Sequence, residues 1–386
     1  METKRLFLEN AYLSTFEATV LACAARGDGD YDILLDKTAF FPEGGGQAGD
    51  RGRIGTTPVL DTHEKDGQVL HRTHAPLEIG QTLACEVDFA TRFDRMQNHT
   101  AEHIVSGIAH RLFGVSNVGF HLNDAFVTLD FDRPLDREAL NRIEDEANAA
   151  VFQNLPVSVL YPTKGELAAL DYRSKKELSG QVRLVSIAGV DLCACCAPHV
   201  KSTGEIGVIK LLDCIHYKGG VRIRLLAGRR ALLDYRGKYH TVAAISAALS
   251  VPQTDASAGV DRTLADLGER KLKMAELARA LSSARAETLS PNAAGNILAF
   301  YPDTDDLSLR NTALAALSRG ATVAAILSGE DGAYRIAITA VCGLRALLPT
   351  LRERLCLRGG GSDELLQGRA PATRAEIEAF FEQKLL

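Results

Sequence analysis

The stretch Asp94-Arg95-Met96-Gln97-Asn98-His99-Thr100-Ala101-Glu102-His103-Ile104 sets how the rest of the chain is read. Two histidines four residues apart project from one face of a helix, where they can hold a metal if other ligands arrive from elsewhere. Far along the chain comes Cys195-Cys196-Ala197-Pro198-His199. His99, His103, Cys195 and His199 make a zinc-ligand set of imidazole and thiolate. Spacing does not choose among Cys193, Cys195 and Cys196 as the thiolate. A four-ligand set also fits a closed structural staple as well as a centre that positions substrate, because catalytic zinc usually keeps a position open. The stretch is not a zincin motif, since Thr100 stands where that chemistry needs glutamate.

The helix is predicted over 91–113. Phe93, Met96, Thr100, Ile104, Ile108 and Leu112 form its apolar stripe, with the histidines at the stripe's edge and Gly114 as its stop. Before it, residues 1–90 read as short strands broken by Gly, Asp and Pro: Leu6–Leu8, Ser14–Ala24, Tyr31–Leu35, Val59-Leu60, Gln68–His71 and Thr82–Val87. That spacing predicts a small barrel, with Gly27-Asp28-Gly29-Asp30 as a turn. Inside it lies Thr38-Ala39-Phe40-Phe41-Pro42-Glu43-Gly44-Gly45-Gly46-Gln47-Ala48-Gly49-Asp50. Its glycine triplet is either a hairpin turn or a backbone cradle for a carbonyl or carboxylate.

After the helix, strands and short helices alternate to about residue 226, which predicts an α+β domain. Residues 201–240 carry nine Lys/Arg against three Asp/Glu. Such an excess is a solvated face or a phosphate-backbone contact. Residues 238–289 read as a helix hairpin broken at Pro252, and 295–386 as a small α/β unit. There Arg345, Arg352 and Arg354 precede an expected glycine loop at Gly359–Gly361.

The whole chain has 386 residues and a net charge of −5, so nucleic acid would have to meet local basic patches. Eight scattered cysteines are too few and too uneven for a disulfide framework. No apolar run reaches the ~18 residues of a membrane span, and Met1-Glu2-Thr3-Lys4-Arg5 opens no signal peptide. A cytoplasmic location and no membrane partner are expected.

Phe41-Pro42-Glu43-Gly44-Gly45-Gly46-Gln47-x-Gly49-Asp50, Asn98-His99-Thr100-Ala101-Glu102-His103, Cys195-xxx-His199-Val200 and Thr203-Gly204-Glu205-Ile206-Gly207 together resemble the editing domain of alanyl-tRNA synthetase. With no aminoacylation domain before them, they resemble the freestanding alanyl-tRNA editing proteins of the AlaX type over about residues 1–240. The C-terminal part resembles the DHH-associated domain. The resemblance implies an α+β protein in four parts: a barrel-like domain at 1–90, a zinc-binding editing domain at 91–237, a helical hairpin at 238–290 and an α/β DHH-associated domain at 291–386. It implies ATP-independent hydrolysis, in trans, of tRNA(Ala) mischarged with serine or glycine. One zinc per chain is expected on His99, His103, Cys195 and His199. Gln47 and Thr38 would be the catalytic-pocket residues, with Thr38 reading the serine hydroxyl and Gly44, Gly45 and Gly46 lining the aminoacyl pocket. Arg222, Arg229, Arg230, Gly359 and Gly360 would meet tRNA. A homodimer would form through the hairpin or the C-terminal domain. The competing expectation is a tRNA-binding module with a structural zinc and no hydrolysis. Cys196-Ala197-Pro198 departs from the Gly-Gly-Thr usual inside the synthetase motif.

Overall fold

The computed structural model describes residues 3–174 and 180–386. The chain divides into two compact units, Met1–Ala243 and Ala244–Leu386. Among the described residues no helix is long and apolar enough to cross a membrane.

The first unit opens with six antiparallel strands that close on themselves in the order Thr15–Ala25, Tyr31–Leu35, Gln68–Thr73, Thr57–Lys65, Gly52–Ile54 and Thr82–Val87. Alternation along the strands points Ala18, Val20, Ile33, Leu35, Ile54, Val59 and Val87 inward, with Phe40 filling the centre. Leu6–Leu8, expected as a strand, is instead part of a single helical turn, Leu6–Glu9. The turn drops Phe7 onto Phe41, ring centroids 5.6 Å apart, in a small cluster with Ala197.

The predicted central helix runs Phe89–Phe113. Asp88 caps its start by accepting from the Thr91 amide, and Gly114 at φ 62° ends it. It packs with the helix Arg137–Phe152 against an antiparallel sheet ordered Ile209–Tyr217, Gly220–Ala227, Val127–Phe131, Asn117–Leu122. Ile104, Ile108 and Ile143 meet Leu129, Ile223 and Leu225 in one core. A second sheet holds Val157–Leu160, Leu184–Ile187 and Asp191–Ala194, and delivers the cysteine segment. The hairpin's first arm starts at Gly228, ten residues before the expected 238, and runs to Leu249. Gly228 allows the φ of 57° at which strand gives way to helix.

In the second unit the helix Ala256–Glu287 precedes a five-stranded sheet ordered Asn296–Phe300, Val323–Ser328, Tyr334–Ala340, Leu365–Ala370, Arg358–Gly361. Only the first pair is parallel. Val323–Ser328 is buried on both faces: Ala324 and Ile326 join a core with the helix Asp306–Leu317, while Val323, Ala325 and Leu327 join one with Leu344–Leu355 and Arg374–Phe381. A strand clad by helices on both sides reads as a continuous apolar run. Gly359–Gly361 corrects an expectation. It is an edge strand rather than a loop, and Leu365–Ala370 is its unforeseen partner. Any Cβ at Gly359 or Gly361 would run into the partner's backbone carbonyls, so glycine lets the two chains approach.

Candidate metal centre

The central helix delivers His99 and His103, and the segment after Asp191–Ala194 delivers Cys195 and His199. The four candidate ligand atoms lie within 4.8 Å of one another. Cys195 Sγ stands 3.6 Å from His99 Nε2 and 3.3 Å from His199 Nε2. Tetrahedral bonds of about 2.0–2.3 Å place neighbouring donors roughly 3.3–3.8 Å apart, so the set fits a single four-coordinate ion. Cys193 faces elsewhere, toward His103 and Asp191, and Cys196 is exposed. Geometry thus chooses Cys195 where spacing could not.

The three imidazoles are held alike. His99 Nδ1 donates to Gln47 Oε1 at 2.9 Å, and His103 Nδ1 to Asp191 Oδ2 at 3.0 Å. The Thr100 hydroxyl donates to Met96 O at 2.8 Å and accepts from His199 Nδ1 at 3.0 Å. Each ring therefore keeps its proton on Nδ1 and turns the Nε2 lone pair inward, the arrangement metal-ligating histidines need. Arg173 clamps Asp191 with bonds of 2.7 and 2.8 Å. His103, Asp191 and Cys193 also cluster, but Asp191 is already committed to His103 and Arg173, so this is support for the centre rather than a second one.

Electrostatics favour a thiolate. Burial raises the Cys195 thiol, but the fields of His99 and His199 and bonds from His103 and His199 outweigh it, leaving it well below the ordinary value. Burial pushes His199 down to about 3 against the pull of Cys195. His103 stands well above the usual histidine range, because bonds to Asp191 and Cys195 overcome burial. A divalent ion replaces protons on such a set, since the ligating forms are thiolate and neutral imidazole.

Gln47 is fully buried, and its Nε2 is the amide atom left without a partner. The glycines before it form a tight turn. Gly44 and Gln47 exchange both backbone bonds, at 3.0 and 3.1 Å, with Gly45 and Gly46 at φ 60° and 82°. Both values belong to a turn of type I′. Gly46 O accepts from the Leu122 amide, and a Cβ at Gly46 would fall 2.6 Å from Phe120. The turn is thereby pinned to the sheet, with Gly44 and Gly45 beside the Cys196 sulfur.

The other expected site residues fare differently. Thr38 is fully buried in the barrel. Its hydroxyl is 2.8 Å from His71 Nε2 and accepts from the Phe40 amide. His71 Nδ1 donates to Ile33 O, so Nε2 is an acceptor and takes the Thr38 proton. In this conformation Thr38 faces protein on all sides. Of the cations between 201 and 240, five meet carboxylates. Arg222 binds Asp130 at 2.6 and 2.7 Å, Arg230 binds Asp94 at 2.8 and 2.6 Å, and Arg224, Lys210 and Lys238 pair with Asp213, Glu144 and Asp234. Three of these carboxylates, Asp94, Asp130 and Glu144, lie outside the window and cancel half of its apparent basic excess. Arg229 meets no carboxylate among the described residues, and Gly359 and Gly360 lie in the second unit.

Sequence reasoning missed Asp191, Arg173 and the pair Arg92–Asp50. Arg92 and Asp50 are completely buried. Arg92 Nε donates to Asp50 at 2.8 Å, its Nη1 to Ala11 O at 3.1 Å, and its Nη2 to Asp50 and Ala39 O. This pair ties the segment that follows the glycine turn to the central helix. Its only signal was that Asp50 ends a quoted motif; Arg92 lies two residues before the quoted helix stretch. Glu205 of the Thr203–Gly207 motif is likewise structural, accepting from Tyr12 and from the Lys201 and Ser202 amides.

Residues 182–225 match the threonyl and alanyl tRNA synthetase second additional domain. Over nearly its whole length the chain resembles proteins named alanyl-tRNA editing protein. It is 28% identical to AlaX-L of Pyrococcus horikoshii, covering 97% of this chain and 96% of that one. It is 27% identical to Aarsd1 of Rattus norvegicus, with the same coverage. Alanine–tRNA ligase of Halobacterium salinarum is 33% identical across 86% of this chain, which spans only 38% of that ligase.

Proposed function

We propose that the chain is a trans-acting aminoacyl-tRNA deacylase that hydrolyses tRNA(Ala) carrying serine, and also glycine. The observation that carries this is the convergence of His99, His103, Cys195 and His199 beside the Gln47 turn. Names of relatives similar end to end support the alanyl-tRNA substrate. Zinc is the ion that three imidazoles and one thiolate in a tetrahedral set suit best, one per chain. When bound it supplies a Lewis acid or an anchor for the substrate's amino or hydroxyl group.

The chain's own residues do the rest. An aminoacyl ester is already reactive, so placement is most of the task. Gln47 holds His99 with its carbonyl and has its amide free to donate to a carbonyl oxygen on which charge develops. Gly45 and Gly46, both exposed, line the approach. Thr38 can meet a serine hydroxyl only as an acceptor, since His71 takes its proton. For tRNA, of Arg222, Arg229 and Arg230 it is Arg229 that is left to bind phosphate, because Arg222 and Arg230 are already paired. The four-part division at 90, 237 and 290, a homodimer and a cytoplasmic location complete the proposal.

The second reading is a tRNA-binding module with structural zinc. It is favoured by the closed four-ligand set, which leaves no open position. Purified protein incubated with Ser-tRNA(Ala), and with Ala-tRNA(Ala) as control, separates the two. Selective deacylation lost in Gln47→Ala and Cys195→Ala supports hydrolysis. Binding without turnover supports the module.

A further inference from the structure

One arginine holds the segment that delivers Cys195 and His199. Arg183 stands immediately before the strand Leu184–Ile187. Its carbonyl accepts from the Cys195 amide at 3.2 Å. Its side chain then reaches round the same segment. Nη1 alone donates to Cys195 O at 2.6 Å and to Ala197 O at 3.2 Å. Two carbonyls, one on each side of Cys196, are thus tied to a single nitrogen.

Little else accounts for this side chain. Among the described residues it meets no carboxylate, and its Nε is buried without a partner. A stranded donor costs stability. The two bonds from Nη1 offset that cost, and charge-assisted bonds are roughly twice as strong as neutral ones.

Those bonds fix the conformation of the ligand segment. The two held carbonyls stand on either side of the Cys196–Ala197 peptide, whose N–H donates to Cys195 Sγ at 3.4 Å. Pro198 has no N–H and offers the sulfur no second donor. The far end is secured separately, where the Val200 amide donates to Thr100 Oγ1 at 3.4 Å. Cys196 is set by the same hold. Its sulfur lies on the glycine turn, where β-carbons at Gly44 and Gly45 would stand 3.8 and 3.9 Å from it, an ordinary contact distance.

We propose that Arg183 is a positioning residue of the metal centre. By holding the Cys195 and Ala197 carbonyls it aims Cys195 Sγ at the inward imidazole nitrogens, keeps the Ala197 N–H on that sulfur, and lays Cys196 against the Gly44–Gly45 turn. A hydrogen bond to a ligating sulfur lowers the energy of its electrons and tunes the metal it binds. Arg183 acts on the ion through the backbone without touching it. Its effect on metal binding follows from the ligand geometry alone; its effect on turnover rests on the hydrolysis proposed above.

The test uses the full chain with Arg183→Met and Arg183→Lys. Arg53→Gln, an exposed barrel arginine paired with Glu86, is the charge-matched control. Zinc affinity is measured by chelator competition, and the cobalt(II)-loaded chain is read for its sulfur-to-metal charge-transfer band. Arg183→Met is expected to bind zinc roughly 10–100-fold more weakly. Its band should move to lower energy, because a sulfur without the Ala197 bond gives up charge more readily. Arg183→Lys should recover part of both, since one nitrogen makes both bonds and an ammonium supplies one nitrogen. In the cadmium-loaded wild type, the Ala197 amide proton should show coupling to the cadmium nucleus through the sulfur. Absence of that coupling overturns the role whether or not a variant folds. Wild-type affinity and band in Arg183→Met also overturn it, and so does weaker binding with an unmoved band, which marks a merely structural part. At saturating metal, Arg183→Met should lose about 10-fold in kcat on Ser-tRNA(Ala) with KM little changed. If the wild type deacylates nothing while affinity and band shift as expected, the proposed hydrolysis falls and the positioning role stands. If the wild type deacylates but neither affinity nor band responds, the role falls and the hydrolysis stands.

Discussion

His103 and Asp191 show what a single side chain contributes here. Asp191 does not reach the ion's position; it fixes the proton of His103 on Nδ1 and so aims Nε2 inward. Outer partners of this kind are worth about 10–100-fold in metal affinity. Asp191→Asn should therefore bind zinc roughly 10–100-fold more weakly in a chelator competition. Cys195→Ala should drop the bound metal from one per chain toward none, read by elemental analysis. His71 gives a separate prediction, for stability. Burial lowers it to about 4, against the help of Ile33 O and with the field of His63. The unfolded chain takes up that proton near pH 6.5, so neutral His71 contributes fully above about 6.5. That contribution is lost as pH falls toward 4 and amounts to about 3 kcal/mol at most. His71→Gln should flatten the pH dependence of urea unfolding between pH 7 and 4; an unchanged slope would refute the assignment.

The central helix is the element through which both layers communicate. Its Arg92 enters the barrel, its His pair faces the metal position, and its Asn98 accepts from the Ala227 amide at 3.0 Å. Breaking one side of a fully buried ion pair costs about 3–5 kcal/mol, because the other charge is stranded. Arg92→Met should lose about that much in denaturant unfolding. It should also weaken metal binding, since Asp50 ends the segment that carries Gln47. The glycine turn makes a sharper test. Gly46 combines φ 82° with a Cβ position 2.6 Å from Phe120, so Gly46→Ala is strained on both counts. It should cut deacylation more than tenfold while shifting the thermal midpoint by only a few degrees, an effect of about 1–2 kcal/mol. At this scale the sequence was legible where periodicity was strong. The central helix, Tyr31–Leu35 and Thr82–Val87 lie where the pattern put them. It failed where one contact outranked pattern. Phe7 turned a strand into a helical turn, and a glycine run that reads as a loop became an edge strand because its partner, Leu365–Ala370, has no strong alternation.

At the scale of the molecule, all four candidate ligands and the core around the central helix belong to the unit Met1–Ala243. A fragment ending at Ala243 should fold and carry one metal per chain, checked by calorimetry and elemental analysis. The charge balance is also settled only here. Arg222 meets Asp130 and Arg230 meets Asp94, carboxylates far away in sequence. A window count along the chain sees the cations and misses their partners.

The sequence alone determined which residues could ligate a metal, since only histidine and cysteine at those spacings offer the donors. It also determined the division into strand-rich, mixed and C-terminal α/β stretches, because hydrophobic period is a local property. Only the tertiary structure decided that Cys195 and not Cys193 joins all three histidines, which nitrogen of each imidazole turns inward, and which arginines stay unpaired. Those outcomes depend on distances between segments separated along the chain, and such distances exist only once the core has closed.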